Sequence, residues 1–375
     1  MRKTLTAFFT IALLVGSLAT ATAQDAPRWD GSDDLAVNPL PCPGSDEAPP
    51  APEALPYDGG AAVNPPDLAG QPIKLVDIPK LKGIPFFNAT GQGTQEAATD
   101  LGNVEVINDG TTQANIDEQI ALLDQYITSG VDGILFAAND PVAISEVLKK
   151  ALGQGIHVVG YDANSQPDAR EWFINQAAFN AIAKTLIDKL VEEKGEDVGF
   201  GIVTSTFTTP NQARWIAEMS AYTAKCYPNM KWLETVEAQE DQKLSFDQAT
   251  SLLNKYGGEI GGLLAMTSIA TPASADAVTQ AGLCGQVAVV GLGLPNAMNP
   301  FVNDGCVKSV VLWNPIDLGY AAVQVMRAVV DGTLAPGATS FNAGRLGELP
   351  VINGSEVLLG PPFVFTADNI NEFDF

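Results

Sequence analysis

The sequence predicts an α/β protein built from two doubly wound parallel-sheet lobes. Three features lead there. Short apolar runs recur along the chain after residue 71, without the polar alternation of a half-exposed strand. Helical stretches separate them, so the strands run parallel with helices on both faces. The units are too many for one small sheet, and 375 residues suit two domains.

The first 23 residues stand outside that fold. Arg2 and Lys3 precede an apolar run from Leu5 to Leu18, and Ala21-Thr22-Ala23 follows. Charged, apolar and small-residue segments in this order make a secretory signal peptide cleaved after Ala23. The run is too short for a spanning helix, so the expected product is exported rather than anchored. Residues 24–71 form a Pro-rich extension, with Pro49-Pro50, Pro52 and Pro65-Pro66. Proline feeds neither a helix interior nor a central ladder, so this segment is extended.

Strand-like runs then follow at Ile73–Ile78, Val104–Ile107, Val131–Ala137, Ile156–Tyr161, Val198–Ser205, Gly262–Ala265, Val287–Gly291 and Val307–Trp313. The clearest helix runs from Asn115 to Gly130. Its Ile116, Ile120, Leu123 and Ile127 step along one face, and Gly130 sits where a C-terminal cap belongs. Ala177–Lys194, Gln212–Tyr227, Leu244–Tyr256 and Leu318–Asp331 are further helical stretches.

Composition removes several functions. The net charge is −24 and the pI about 4.2, which repels phosphate backbones and argues against nucleic acid. A single His, His157, lies inside a strand-like run and reads as structural. Multi-histidine metal sites and a Ser-His-Asp triad with a Gly-x-Ser-x-Gly elbow are therefore not expected. Gly91-x-Gly93 and Gly291-x-Gly293 are incomplete dinucleotide fingerprints, with Glu96 and Asn296 at the third position. No cofactor is expected. In an oxidising compartment Cys42, Cys226, Cys284 and Cys306 favour disulfides, with three pairings open. Cys284–Cys306 with Cys42–Cys226 is the preferred set, the second bond tying down the extension.

Doubly wound sheets carry their functional loops at the carboxyl ends of the strands. Lys80 with Phe86-Phe87, Asp162, then Asn211, Gln212 and Arg214, then Met266, Thr267 and Ser268, and finally Trp313 and Asn314 occupy such places. Rings that cover C–H faces, with carboxylates and amides for hydroxyls, suit a small polyhydroxylated ligand. Phe86 and Phe87 read as strand neighbours, one lining the cleft and the other packing. Asp140-Pro141 reads equally well as a helix start.

Ile78-Pro79-Lys80-Leu81, Gly83 and Phe86-Phe87 resemble the first strand and loop of type I periplasmic sugar-binding proteins. Asp124-to-Gly133, Tyr161-Asp162, Ile174-Asn175-Gln176, Val290-Gly291 with Pro295-Asn296, Leu312-Trp313 and the end from Asn369 to Phe375 match the same group. The nearest branch holds the autoinducer-2 and rhamnose-type receptors. The resemblance covers residue 72 to the terminus.

The resemblance implies a periplasmic binding protein-like fold with three hinge crossings. The implied lobes are 72–175 plus 314–345 and 176–313 plus 346–375. It further implies a monomeric periplasmic solute-binding protein, not an enzyme. Such a protein closes on a sugar or polyol, autoinducer-2 and deoxyhexoses included, and delivers it to ABC permease subunits. A chemoreceptor is a further implied partner. Lys80, Asp162 and Gln212 match ligand-contacting positions of the autoinducer-2 receptor. Phe86 and Phe87 match the aromatic pair of pentose binders, and Trp313 a ring near the hinge. Three departures point to a different ligand. Asn211 stands where the receptor has a second aspartate, Met266 and Ser268 where it has Pro and Ala, and Gly293 where ribose-type members have an aspartate. The alternatives are an exported glycoside-processing enzyme with two cleft carboxylates, and a sensory partner that presents a ligand to a membrane receptor.

Overall fold

A computed structural model describes residues 35–49 and 55–375. The expected signal peptide and part of the extension lie outside the described residues.

The first half is built on an eight-stranded sheet in the order β11-β12-β13-β5-β4-β3-β1-β2. These strands are β1 (Ile73–Ile78), β2 (Val104–Asn108), β3 (Gly133–Phe136), β4 (His157–Tyr161), β5 (Trp172–Asn175), β11 (Ser340–Asn342), β12 (Glu348–Ile352) and β13 (Glu356–Leu358). The first five are mutually parallel, and β13 adds to β5 in parallel. Helices α1 (Pro85–Leu101), α2 (Ile116–Ser129), α3 (Ala143–Gly153) and α9 (Pro315–Val330) cover it. Residues β3, β4 and β5 are buried throughout, as strands covered on both faces must be.

The second half has a parallel sheet in the order β7-β6-β8-β9. Its strands are β6 (Gly199–Thr204), β7 (Lys231–Glu237), β8 (Gly262–Ala265) and β9 (Ala288–Gly291). An antiparallel pair, β10 (Val310–Leu312) with β14 (Phe363–Phe365), continues it through a bridge from Leu292 to Val311. Around these lie α4 (Phe179–Lys194), α5 (Pro210–Cys226), α6 (Gln242–Tyr256), α7 (Ala270–Gln280) and α8 (Pro295–Asn303). The chain passes between the halves three times, at 176–178, 313–314 and 359–362. The expected return at 346 comes later, because β12 and β13 pair into the first sheet through β5.

Local chemistry explains the elements. The Asn115 side chain accepts from the Glu118 amide, and Gly130 ends α2 at φ 77°. Proline opens α1, α5, α8 and α9, where its missing N–H costs nothing. Asp140 accepts from the amides of Val142 and Ala143, so Asp140-Pro141 is a helix start. Gly91-x-Gly93 serves packing. A Cβ on Gly93 would lie 1.8 Å from the Ile316 carbonyl oxygen, and one on Gly319 would lie 2.0 Å from that of Thr90. Each glycine lets the other helix's backbone approach, and α1 and α9 form the tightest helix pair of the first half.

The cysteines form Cys42–Cys226 and Cys284–Cys306. The first bond fastens the extension to α5. The Asn38 amide also donates to Glu218, and Lys225 pairs with Glu47 at 2.9 Å. Further along, the extension lies on the first half. The Tyr57 hydroxyl donates to the Glu171 carbonyl at 2.8 Å, and its ring meets Trp172 at 5.4 Å. Amides of Gly60 and Val63 donate to the Arg170 and Leu152 carbonyls. His157 is structural, with Nδ1 2.9 Å from a Glu171 carboxylate oxygen.

Gly93→Ala forces α1 and α9 apart. The expected loss is about 1–3 kcal/mol, the usual range for overpacking, read from urea denaturation. An unchanged midpoint would show that the two helices do not need this approach.

Candidate functional site

The carboxyl ends of both sheets face one cleft. Lys80 enters it two residues after β1, and Asp162 directly after β4. Asn211 and Gln212 come from the first turn of α5, and Met266, Thr267 and Ser268 follow β8. Phe86 and Phe87 enter from the first turn of α1, and Trp313 follows β10.

The polar end is a charge cluster drawn from both halves. Lys80 is 5% exposed, and its Nζ lies 3.1 Å from Glu240 Oε1 and 3.6 Å from Asp162 Oδ2. Burial alone would lower the lysine pKa, but Glu240 and Asp162 outweigh it and hold the ammonium charged. Burial pushes the Asp162 carboxyl up to about 6 against the pull of Lys80. Asn211 Nδ2 donates to Asp162 Oδ1 at 3.2 Å. Asp162 Oδ2 is buried and makes no hydrogen bond among the described residues. The Gln212 carbonyl oxygen accepts from Thr204 Oγ1 and the Ser205 amide, which turns its Nε2 toward Glu240 at 3.4 Å.

The framework behind Lys80 is polar and buried. Asn139 Nδ2 donates to the Lys80 carbonyl at 2.8 Å, and Gln119 Nε2 donates to the carbonyls of Pro79 and Ala137. Both carboxylate residues take left-handed backbone, Asp162 at φ 59° and Glu240 at φ 56°, beside Gln239 at φ 52°. Such backbone costs energy outside glycine and aims these side chains differently from an extended residue.

The opposite wall is aromatic. Phe86 meets Phe87 at 5.1 Å and Trp313 at 6.1 Å, and Trp313 meets Trp215 at 5.8 Å. Lys80 Nζ stands 5.7 Å from the Phe87 ring, joining the two ends. The indole N–H groups of Trp215 and Trp313 are buried without partners among the described residues. Ile84, Leu292, Leu312 and Met266 complete the apolar lining.

Most of the expected residues therefore meet in one place, with corrections. Phe86 and Phe87 lie on a helix, because Pro85 starts α1 there, and both are buried at the cleft. Arg214 stands on the flank of α5, 5.5 Å from the Phe179 ring and 3.9 Å from Glu218. Asn314 caps α9 by accepting from the Ile316 and Asp317 amides, and lines a separate hinge cavity with Gln176 and Phe363. Ile84, Glu240, Leu292 and Leu312 line the cleft beyond the residues the sequence points to. Glu240 follows β7, an edge strand that the apolar-run criterion passes over. Gly293 has no space for an aspartate. A Cβ there would lie 2.8 Å from Met298 Cγ and 2.9 Å from Val310 Cγ1. Among the described residues no group of three His, Cys, Asp or Glu residues is placed to hold a metal ion.

A family model described as a periplasmic binding protein domain matches residues 76–334. The D-ribose/D-allose-binding protein of Pseudomonas aeruginosa is 29% identical over 213 residues. That alignment covers 54% of this chain and 64% of the relative, just under two thirds of its length. Among solved structures, a sugar ABC transporter from Actinomyces odontolyticus is 32% identical with a TM-score of 0.67, covering 84% of this chain and 100% of that chain. An ABC transporter solute-binding protein from Clostridium phytofermentas with bound L-rhamnose is 28% identical with a TM-score of 0.77. It covers 80% of this chain and 98% of that chain.

Lys80→Met leaves Asp162 and Glu240 buried without their cation. The expected destabilisation is about 3–5 kcal/mol at neutral pH, and Lys80→Met with Glu240→Gln should recover part of it. A single variant as stable as the parent in urea would show that the cluster is not held by this ammonium.

Proposed function

Since the chain belongs to the periplasmic binding protein domain family, we propose that it is a solute-binding protein delivering a small sugar or polyol to an ABC importer. One observation carries this reading. Polar groups from both halves converge on one end of a cleft whose other end is a wall of aromatic rings. A sugar has the same two sides, with hydroxyls on its rim and C–H groups on its faces.

Each group has a place in such a complex. Asp162 Oδ2 has a free lone pair for a ligand hydroxyl, and Lys80 offers a charged donor beside it. Phe86, Phe87 and Trp313 offer ring faces and edges to the C–H side. Leu292, Leu312 and Met266 supply an apolar corner. That corner suits compounds combining hydroxyls with a methyl group, as deoxyhexoses and autoinducer-2 do. A ligand touching Lys80 and Asp162 on one side and Asn211 and Gln212 on the other joins the halves. It therefore shifts the hinge toward closure, the form a permease recognises. The acidic surface keeps an exported monomer soluble in the periplasm, and among the described residues no helix is long and apolar enough to cross a membrane.

Glycoside hydrolysis needs two carboxylates about a scissile bond, and the cleft does hold two. Lys80 is within 3.6 Å of both, which suits acceptors of hydroxyl donors rather than a protonated acid opposite a nucleophile. The related chains named above are transport and binding proteins. The bound sugar therefore leaves unchanged.

Calorimetry against neutral pentoses, deoxyhexoses, alditols and autoinducer-2 should find at least one compound with a Kd below the millimolar range. Incubation should return that compound intact. Asp162→Ala should weaken it roughly 10- to 150-fold, the worth of a charged hydrogen bond at about 1.5–3 kcal/mol. Failure of every compound to bind, or release of a hydrolysis product, removes the transport role.

A further inference from the structure

We propose that Glu240 is a specificity-determining ligand residue: with Asp162 it selects neutral sugars carrying neighbouring hydroxyls and rejects sugar acids. This takes the sugar-binding reading of the cleft as its premise and adds a residue and a ligand class to it.

Four observations converge on Glu240. It is 7% exposed yet lines the cleft, at the carboxyl side of β7. A buried carboxylate is rare unless it is paired or has a task. Its backbone and that of Gln239 are both left-handed, at φ 56° and 52°, without a glycine at either position. Two such residues in succession are costly and persist where the surroundings demand a side-chain direction. Its Oε1 already accepts from Lys80 at 3.1 Å and Gln212 at 3.4 Å, which fixes the carboxylate plane. Among the described residues no donor reaches Oε2.

The chemistry follows from the neighbours. Asn211 is an amide, so α5 contributes no carboxylate to the cleft, and β7 contributes one from the same half of the protein. Lys80 lies between Glu240 and Asp162, so two acceptors flank one charged donor. A pair of adjacent hydroxyls meets that pattern. One donates to Asp162 Oδ2, the other donates to Glu240 Oε2, and either oxygen accepts from Lys80. Asp162 and Glu240 set two carboxylates around the single ammonium of Lys80, and all three side chains are buried. A carboxylate on the ligand would face two like charges against one opposite charge, which a buried site penalises strongly.

Glu240→Gln and Glu240→Asp test this beside the parent protein, with a sugar that the parent binds, its single-deoxy analogues and its uronic acid. Urea midpoints establish that each variant folds, and the shorter Asp serves should Gln fail to. The expected result is at least a tenfold weaker Kd for the sugar in each variant. One deoxy analogue should lose at least tenfold against the parent but less than threefold against Glu240→Gln, which marks the hydroxyl that Glu240 holds. The preference for sugar over uronic acid should fall at least tenfold in Glu240→Gln and persist in Glu240→Asp. A Kd within twofold of the parent for every sugar overturns the assignment. Equal losses for all deoxy analogues in parent and variant also overturn it, since Glu240 then touches no hydroxyl. A parent protein that binds no sugar removes the underlying reading and this inference with it, a result distinct from the other two.

Discussion

The buried ammonium of Lys80, held between a carboxylate from each half of the protein, is the constraint around which the site is arranged. A charge this deep is tolerated only with partners close by. Glu240 and Asp162 supply them at 3.1 and 3.6 Å. The two carboxylates lie in different halves. Their meeting at one nitrogen therefore requires the carboxyl ends of both parallel sheets to face one gap. The three crossings at 176–178, 313–314 and 359–362 make that possible, because they keep the halves adjacent without merging their sheets.

Support for this arrangement comes from elements that never reach the cleft. Gln119 and Asn139 bind the backbone on either side of Lys80, so the lysine leaves β1 in one direction. Below it, Tyr161 and Asn108 donate to buried Asp77 on β1, tying β2 and β4 to that strand. Burial pushes Asp77 up to about 6. The glycine contact between α1 and α9 places the first turn of α1, with Phe86 and Phe87, beside Trp313. The extension adds a second connection, bonded by Cys42–Cys226 to α5 and hydrogen-bonded at Tyr57 and Gly60 to the first half.

Much of this was legible in the sequence, for physical reasons. Strands buried on both faces read as largely apolar runs, and β1, despite Lys74 and Asp77, and β8 appear with the expected bounds. The Asn115 and Gly130 caps likewise bound α2. The elements that escaped lack such signals. β7 is an edge strand, with Lys231, Trp232, Leu233 and Glu234 alternating irregularly, so no apolar run points to a strand end before Glu240. β5 is only four residues long, and β12 and β13 are recruited by pairing that begins far away in sequence. Phe86 and Phe87 read as strand neighbours on opposite faces, whereas Pro85 opens a helix there and both rings reach the cleft. Arg214 and Asn314 illustrate a different limit. Sequence proximity to a strand end placed them at the site, whereas helix phase turned Arg214 to the flank and capping withdrew Asn314.

The unpartnered atoms complete the picture. Asp162 Oδ2 and the indole N–H groups of Trp215 and Trp313 are buried, polar and unsatisfied among the described residues, and all three belong to cleft-lining side chains. Native interiors rarely leave such groups unpaired without a purpose. A crystal structure with a bound sugar tests the account most directly. The expected density places one ligand between the halves, with hydroxyl oxygens within about 3.2 Å of Lys80 Nζ, Asp162 Oδ2 and Glu240 Oε2. A sugar bound elsewhere, or one lying in the cleft with Lys80 and both carboxylates turned away from it, would contradict the account.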